Sequence, residues 1–174
     1  MRATLWAALA LTGALLGGCW VSETPLLDPR DAVHPVAAGP QVSTSDGRDR
    51  AIEARIQPDG WYRMVEDDSV TEVLFTPLTT EGVPTVFAFM VKEEDAYIYG
   101  IAERRDGEVL LDLPSCQPGP GLTIALAHRA APPDPGAIGA ACAFHAQADL
   151  RAALIDYTRS LDVTRDYMTL KAAP

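Results

Sequence analysis

The sequence predicts a mainly β domain with one helix near its carboxyl end. We expect an antiparallel meander or partly closed barrel of about six to eight strands, with the helix packed on the sheet. Three observations lead to this fold class. Apolar and polar side chains alternate with a period of two from residue 50 to residue 128. Turn signals recur there about every 8–12 residues. A stretch after residue 149 then changes to the 3.6-residue period of a helix.

The first predicted unit is a β-hairpin over residues 51–66. Ile52, Ala54 and Ile56 alternate with charged residues, and a second alternating run covers residues 61–66. Between the runs, residues 57–60 read Gln-Pro-Asp-Gly, a sequence that favours a tight turn.

Further strands are predicted along the next fifty residues. Residues 70–75 form a short strand, and residues 84–92 are apolar on both faces, which indicates a central, buried strand. Residues 96–103 and 109–113 pair through a hairpin turn at Arg105-Asp106-Gly107, where glycine can take a positive φ. Residues 122–128 are predicted as either a strand or a short helix, and residues 163–170 as a last strand.

One amphipathic helix follows. Apolar residues recur at positions i, i+3, i+4, i+7 and i+11 and form a single stripe: Leu150, Ala153, Leu154, Tyr157 and Leu161. Asp149 directly precedes this stripe, and its carboxylate predicts an N-cap that accepts an early amide hydrogen.

Four aromatic residues fall on neighbouring predicted strands. If the sheet closes, Phe87, Phe89, Tyr97 and Tyr99 could line a ligand pocket inside a barrel. The alternative is that these rings simply fill the core, as aromatic side chains commonly do.

Composition limits the partners. The chain has 174 residues with 24 acidic and 14 basic side chains, and its net charge is −10. Nucleic acid is excluded as a partner, because such binding depends mainly on Lys and Arg facing phosphates.

The amino terminus has the pattern of an export signal. Arg2 is the one charge before an uncharged, largely apolar run over residues 3–16, which is too short to cross a bilayer. The run ends in Leu16-Gly17-Gly18-Cys19, which resembles the lipobox of bacterial lipoproteins. The resemblance implies cleavage before Cys19 and attachment of acyl chains to that thiol, which becomes the membrane anchor.

The same resemblance implies a location. A lipid-anchored protein of the bacterial cell envelope would face the periplasm. An aspartate after the lipidated cysteine retains such proteins in the inner membrane, at least in enteric bacteria. Trp20 occupies that position here, which favours the outer membrane.

The expected domain organisation has three parts. Residues 1–18 form the signal peptide, residues 19–46 the lipidated terminus and a tether, and residues 47–174 one globular β-rich domain. The tether is predicted from Pro25, Pro29, Pro35 and Pro40, because regularly spaced prolines favour extended, semi-rigid backbone. Apolar residues such as Leu27 and Val33 leave open that part of this segment packs on the domain.

Two cysteines remain after Cys19. In an exported domain, Cys116 and Cys142 predict a disulfide. The alternative is a zinc site that adds His128 and His145, but the spacing lacks the close ligand pairs of structural zinc modules. We therefore expect neither a metal nor another cofactor.

The sequence shows no common catalytic motif: it contains no G-x-S-x-G elbow, no H-E-x-x-H and no phosphate-binding glycine loop. Two acidic clusters, at residues 66–68 and 93–95, are predicted to be solvated hairpin turns. The sequence thus favours a non-catalytic envelope lipoprotein that contacts another envelope protein. The alternatives are a carrier of a small molecule or lipid, and an envelope hydrolase that uses His128 or His145.

Overall fold

A computed structural model describes residues 19–45, 47–78, 85–130, 141–159 and 168–174. The predicted signal peptide, with Leu16, Gly17 and Gly18, lies outside these residues. Within them, no helix is long and apolar enough to span a membrane.

The described residues form ten strands and two α-helices. The strands are β1 (Trp20–Ser22), β2 (Gly39–Ser45), β3 (Arg48–Ile56), β4 (Tyr62–Glu66), β5 (Ser69–Pro77), β6 (Val86–Lys92), β7 (Tyr97–Arg105), β8 (Glu108–Asp112), β9 (Cys142–Ala143) and β10 (Met168–Ala172). The helices are α1 (Thr123–Leu126) and α2 (Gln147–Thr158), and Pro29–Asp31 forms a 3₁₀ turn.

Eight of the strands close into an antiparallel barrel. From β2 to β8, each strand pairs with the next strand in the chain, including β6 with β7. Strand β10 closes the ring, because it pairs with both β8 and β2. The predicted hairpin over residues 51–66 is present as β3 and β4. The turn between β7 and β8 places Asp106 (φ 52°) and Gly107 (φ 85°) in the left-handed region. The described sheet has ten strands, more than the six to eight predicted, because β1 and β9 lie outside the barrel.

The segment predicted as a tether is part of the folded domain. Strand β1 pairs antiparallel with the first half of β7 and parallel with β9, and β2 is a barrel strand. Trp20 is fully buried, and Leu27 and Val36 are nearly so. The prediction of a free spacer is therefore wrong for residues 20–45, because their apolar side chains pack into the two cores.

Residues 33–36 close one end of the barrel. The amide of Val33 donates to the carbonyl of Phe75 over 2.9 Å. The buried hydroxyl of Tyr62 donates to the carbonyl of Val36 over 2.5 Å. Val36 packs with Tyr62 and Phe75 in the barrel interior, so this end carries a plug made of the chain itself.

A second core lies between the outer face of the barrel and helix α2. The helix turns Leu150, Ala153, Leu154 and Tyr157 toward this core, as the apolar stripe predicts, while Leu161 lies outside the described residues. The helix begins at Gln147 after the N-cap residue Ala146. The prediction that Asp149 is the N-cap is wrong; Asp149 lies within the first turn, where a carboxylate still meets the positive end of the helix.

The predicted disulfide is present. Cys116 and Cys142 are bonded, with their α-carbons 5.3 Å apart, and both are fully buried. The bond ties the segment after β8 to β9, and β9 in turn pairs with β1. Residues 123–126 form a short helix, which decides between the two alternatives for that stretch.

Candidate functional site

The open end of the barrel holds a cavity of about 440 Å³. Residues of seven barrel strands line it, namely β2, β3, β4, β5, β6, β8 and β10. An eight-stranded barrel is at the size where the interior is either filled by side chains or left wide enough for one small ligand. Here the plugged end is filled and the open end is hollow.

Most of the cavity wall is apolar. Each strand turns alternate side chains inward, so the wall collects residues at spacings of two along β3, β4, β5, β6 and β10. The apolar residues of the wall are Ile52, Met64, Val73, Phe89, Val91, Leu111, Leu113, Met168 and Leu170.

The base of the cavity is aromatic. Phe75 lies between two other rings, with centroids 5.5 Å from Tyr62 and 6.1 Å from Phe89. Phe89 reaches the cavity, whereas Phe75 and Tyr62 are packed beneath it with Val36. These rings form a rigid floor that limits how deep a ligand could enter.

Strand β2 supplies the polar part of the wall. Its inward residues are Gln41, Ser43 and Ser45, and Gln41 donates to the carbonyl of Ala37 over 3.1 Å below the cavity. Ser43 and Ser45 line the cavity itself. Ser43 is only 4% exposed, and its hydroxyl group can both donate and accept a hydrogen bond. Because Ser43 lines the cavity, it is a candidate to bond a ligand there.

Three charged residues stand at the rim. Arg50 and Glu66 form an ion pair with 3.5 Å between Nη1 and Oε1, and each side chain is more than a third exposed. Asp112 accepts a hydrogen bond of 2.7 Å from the hydroxyl of Tyr157, which fixes the end of β8 to helix α2.

The two acidic clusters lie in turns at this same end of the barrel. Residues 66–68 join β4 to β5, and residues 93–95 lie between β6 and β7. Glu66 is part of the rim, and Val91 on the wall lies two residues before the second turn. Partial burial, followed by the nearby charge of Glu94, raises the pKa of Glu93.

The structure divides the four aromatic residues predicted to share a pocket. Phe87 and Phe89 point into the barrel, but Tyr97 and Tyr99 lie on its outer face. The hydroxyl of Tyr99 is 2.5 Å from the Ser22 hydroxyl oxygen and accepts a hydrogen bond from the amide of Leu26 over 3.0 Å. Tyr99 therefore holds the amino-terminal segment, and neither tyrosine is among the residues that line the cavity.

The residues predicted for other chemistry are dispersed. His128 stacks on Phe144 with ring centroids 4.8 Å apart, His145 is exposed, and His34 packs against Tyr62 at the plugged end. The described residues contain no group of three side chains placed to hold a metal. Cys19 is half-buried, and burial raises the pKa of its thiol. Its carbonyl accepts the amide of Cys142 over 3.2 Å.

Sequence reasoning missed the polar side of the cavity. Strand β2 reads Gly-Pro-Gln-Val-Ser-Thr-Ser, and its inward positions are all polar, so the alternation that marks the other strands is absent. No protein-family model, no curated protein and no solved structure matches this chain.

Proposed function

We propose that this protein is a lipid-anchored binding protein of the bacterial envelope that holds one small, mainly apolar molecule in the open end of its barrel. The observation that carries the proposal is the cavity of about 440 Å³ inside a barrel whose opposite end is filled. Binding pockets for small molecules commonly have volumes of about 300–1,000 Å³ and apolar walls with a few placed polar groups.

The energetics of the wall support an apolar ligand. Nine apolar side chains line the cavity, and burying apolar ligand surface against them contributes about 25 cal/mol per Å². Ser43 and Ser45 add hydrogen-bonding groups along one side only. Such a wall favours a molecule with a long apolar body and polar atoms on one edge or at one end.

Two features support the envelope location. The lipobox at residues 16–19 implies export and acylation. The disulfide between Cys116 and Cys142 is of the kind that persists in an oxidising compartment.

A cavity-filling variant tests the proposal. Leu111 points into the cavity, whereas its neighbour Leu110 is on the opposite face of the same strand. We expect Leu111→Trp to abolish saturable binding of the neutral apolar fluorophore N-phenyl-1-naphthylamine, and the matched variant Leu110→Trp to retain it. The protein used is residues 19–174 with Cys19→Ser, which holds every described element and needs no detergent.

The outcomes separate clearly. Saturable one-to-one binding that only Leu111→Trp removes supports the cavity as the site. Binding that survives Leu111→Trp, in a protein whose circular dichroism is unchanged, places the fluorophore elsewhere and contradicts the proposal. Absence of binding to the parent protein contradicts it as well.

A second candidate is an interaction module that docks on another envelope protein. Helices α1 and α2 pack against each other on the outside of the barrel, and Ile124 and Ile155 are each 38% exposed there. Photo-crosslinking from position 155 in cells should then capture one reproducible envelope protein, and Ile124→Asp should remove that product. A crosslink pattern that Ile124→Asp leaves intact argues against this candidate.

A further inference from the structure

We infer that the cavity selects a cationic amphiphile, a molecule with an apolar body and an amine or quaternary ammonium head. This inference rests on the proposed function, since it names the class of ligand for the same cavity. Three features of the open end support it: the apolar walls, the charges of the turns around it, and the Ser43 hydroxyl in the wall.

Charged residues lie on the turns that surround the mouth of the cavity. The strands are antiparallel, so the β2–β3, β4–β5 and β6–β7 connections come to the same end of the barrel. Two of these turns carry six carboxylates, at residues 66–68 and 93–95. The described cations near these connections are Arg48, Arg50 and Lys92, so carboxylates outnumber cations on this part of the rim.

These cations offset only part of the negative charge of the carboxylates. Lys92 is turned to the outer face, where its Nζ is 2.8 Å from Glu72. Arg50 is at the rim and pairs with Glu66. The remaining carboxylates leave an excess of negative charge on the two turns beside the opening. A cleft lined by one sign of charge focuses the field and attracts ligands of the opposite sign.

The wall of the cavity also offers a polar group to the ligand. Ser43 lies in the wall beside Leu170 on one neighbouring strand and Arg50 on the other, and its side chain is 4% exposed. Its hydroxyl can accept a hydrogen bond from an ammonium N–H or bond an oxygen near the head of the ligand. The apolar body then lies against Phe89 and Val73, and the head remains at the rim near Glu66.

This arrangement discriminates by charge. An alkyl carboxylate of the same length would place its negative head against Glu66 and the acidic turns. A neutral alcohol would gain the same apolar contacts with no electrostatic contribution. A cation gains both, and unit charges about 4 Å apart interact by about 1 kcal/mol even in water.

The test compares three ligands with one common chain. Decyltrimethylammonium, 1-decanol and decanoate, each below its micelle concentration, compete for bound N-phenyl-1-naphthylamine on residues 19–174 carrying Cys19→Ser. Folding is checked first by circular dichroism. At low salt we expect the cation to bind about tenfold more tightly than the anion, with the alcohol between them. At 1 M salt, where screening acts within about 3 Å, the order should collapse.

Two variants with the same change in net charge give the control. Glu66→Gln removes a rim carboxylate, and Glu53→Gln removes one from the outer face of β3, where Glu53 is paired with Arg55. We expect Glu66→Gln to reduce the preference for the cation several-fold and Glu53→Gln to leave it unchanged. Equal or stronger binding of decanoate, or a cation preference insensitive to both salt and Glu66→Gln, overturns the inference. The proposed function survives that result as long as the fluorophore and decanol still bind.

Discussion

Phe89 and Gly100 face each other across the β6–β7 pair, and the Phe89 ring occupies the space that a β-carbon on Gly100 would need. The carbonyl oxygen of Asp112 on β8 would be only 2.5 Å from that carbon. The absence of a side chain at residue 100 thus allows the ring to form part of the cavity wall while β8 stays close.

Gly100→Ala should therefore destabilise the barrel. The added methyl forces Phe89 or the end of β8 to move, and overpacking of this kind costs about 1–3 kcal/mol. Urea denaturation followed by tryptophan fluorescence measures the change. Gly119→Ala is the control, because a β-carbon there would meet Leu122 at an ordinary 3.4 Å. Equal midpoints for the two variants would show that the close approach at Gly100 is not a constraint.

The barrel should lose stability in strong alkali. Burial raises the pKa of Tyr62 to about 12, whereas a tyrosine in the unfolded chain titrates near pH 10. Because the folded state retains the proton longer, the stabilisation is fully present below about pH 10 and is lost as the pH rises toward 12, by up to about 1.4 kcal/mol per unit. Tyr62→Phe should lower the stability at pH 8 and flatten its further decline at pH 11. A decline as steep as that of the parent would count against Tyr62 as the titrating group.

The disulfide should make a large contribution to stability. Cys116 and Cys142 are 26 residues apart, and closing a loop of that size contributes about 3 kcal/mol in the chain-entropy account. We expect the double variant Cys116→Ser, Cys142→Ser to unfold at clearly lower denaturant concentration, with earlier amide exchange in β1 and β9. If dithiothreitol shifts the parent and the variant alike, the bond is not the cause.

Acylation of Cys19 is the prediction on which the location depends. Cys19→Ser in the native host should abolish palmitate labelling and release the protein from the membrane fraction. Ser22→Ala is a suitable control, because it alters the same segment and leaves the lipobox intact. Labelling that persists in Cys19→Ser would refute the lipoprotein interpretation.

The local β structure follows from the sequence where alternation and turn residues agree. The hairpin at residues 51–66 and the turn at residues 105–107 are present as predicted, since both have a glycine where the backbone needs a positive φ and alternating residues on either side. The helix stripe is confirmed from Leu150 to Tyr157, and the disulfide is confirmed as well.

The division of the aromatic residues could not be predicted in the same way. Alternation shows which residues share a face within one strand, but the face that points inward on the next strand depends on the exact register. Tyr97 pairs with Lys92, so Tyr99 lies opposite Met90 on the outer face, while Phe89 lies opposite Gly100. A change of one residue in the turn would exchange these faces.

The sequence did not predict that residues 20–45 contribute strands to the sheet, for a different reason. Prolines in this segment suggested a spacer, but Pro40 lies at the start of β2 and Pro29 begins a 3₁₀ turn, positions where a missing amide hydrogen is tolerated. The inward side chains of β2 are polar, so the strand carries no hydrophobic signal even though it completes the barrel.

The sheet begins one residue after Cys19, and the buried ring of Trp20 packs against the rings of Phe144 and Tyr157. If that cysteine carries acyl chains, almost no flexible linker separates the anchor from the folded domain. The barrel must then lie against the headgroups of the leaflet that holds the acyl chains. Its reach across the periplasm is then no more than its own diameter. A cargo or a receptor would have to come to the bilayer surface, and exchange would take place there rather than in open solution.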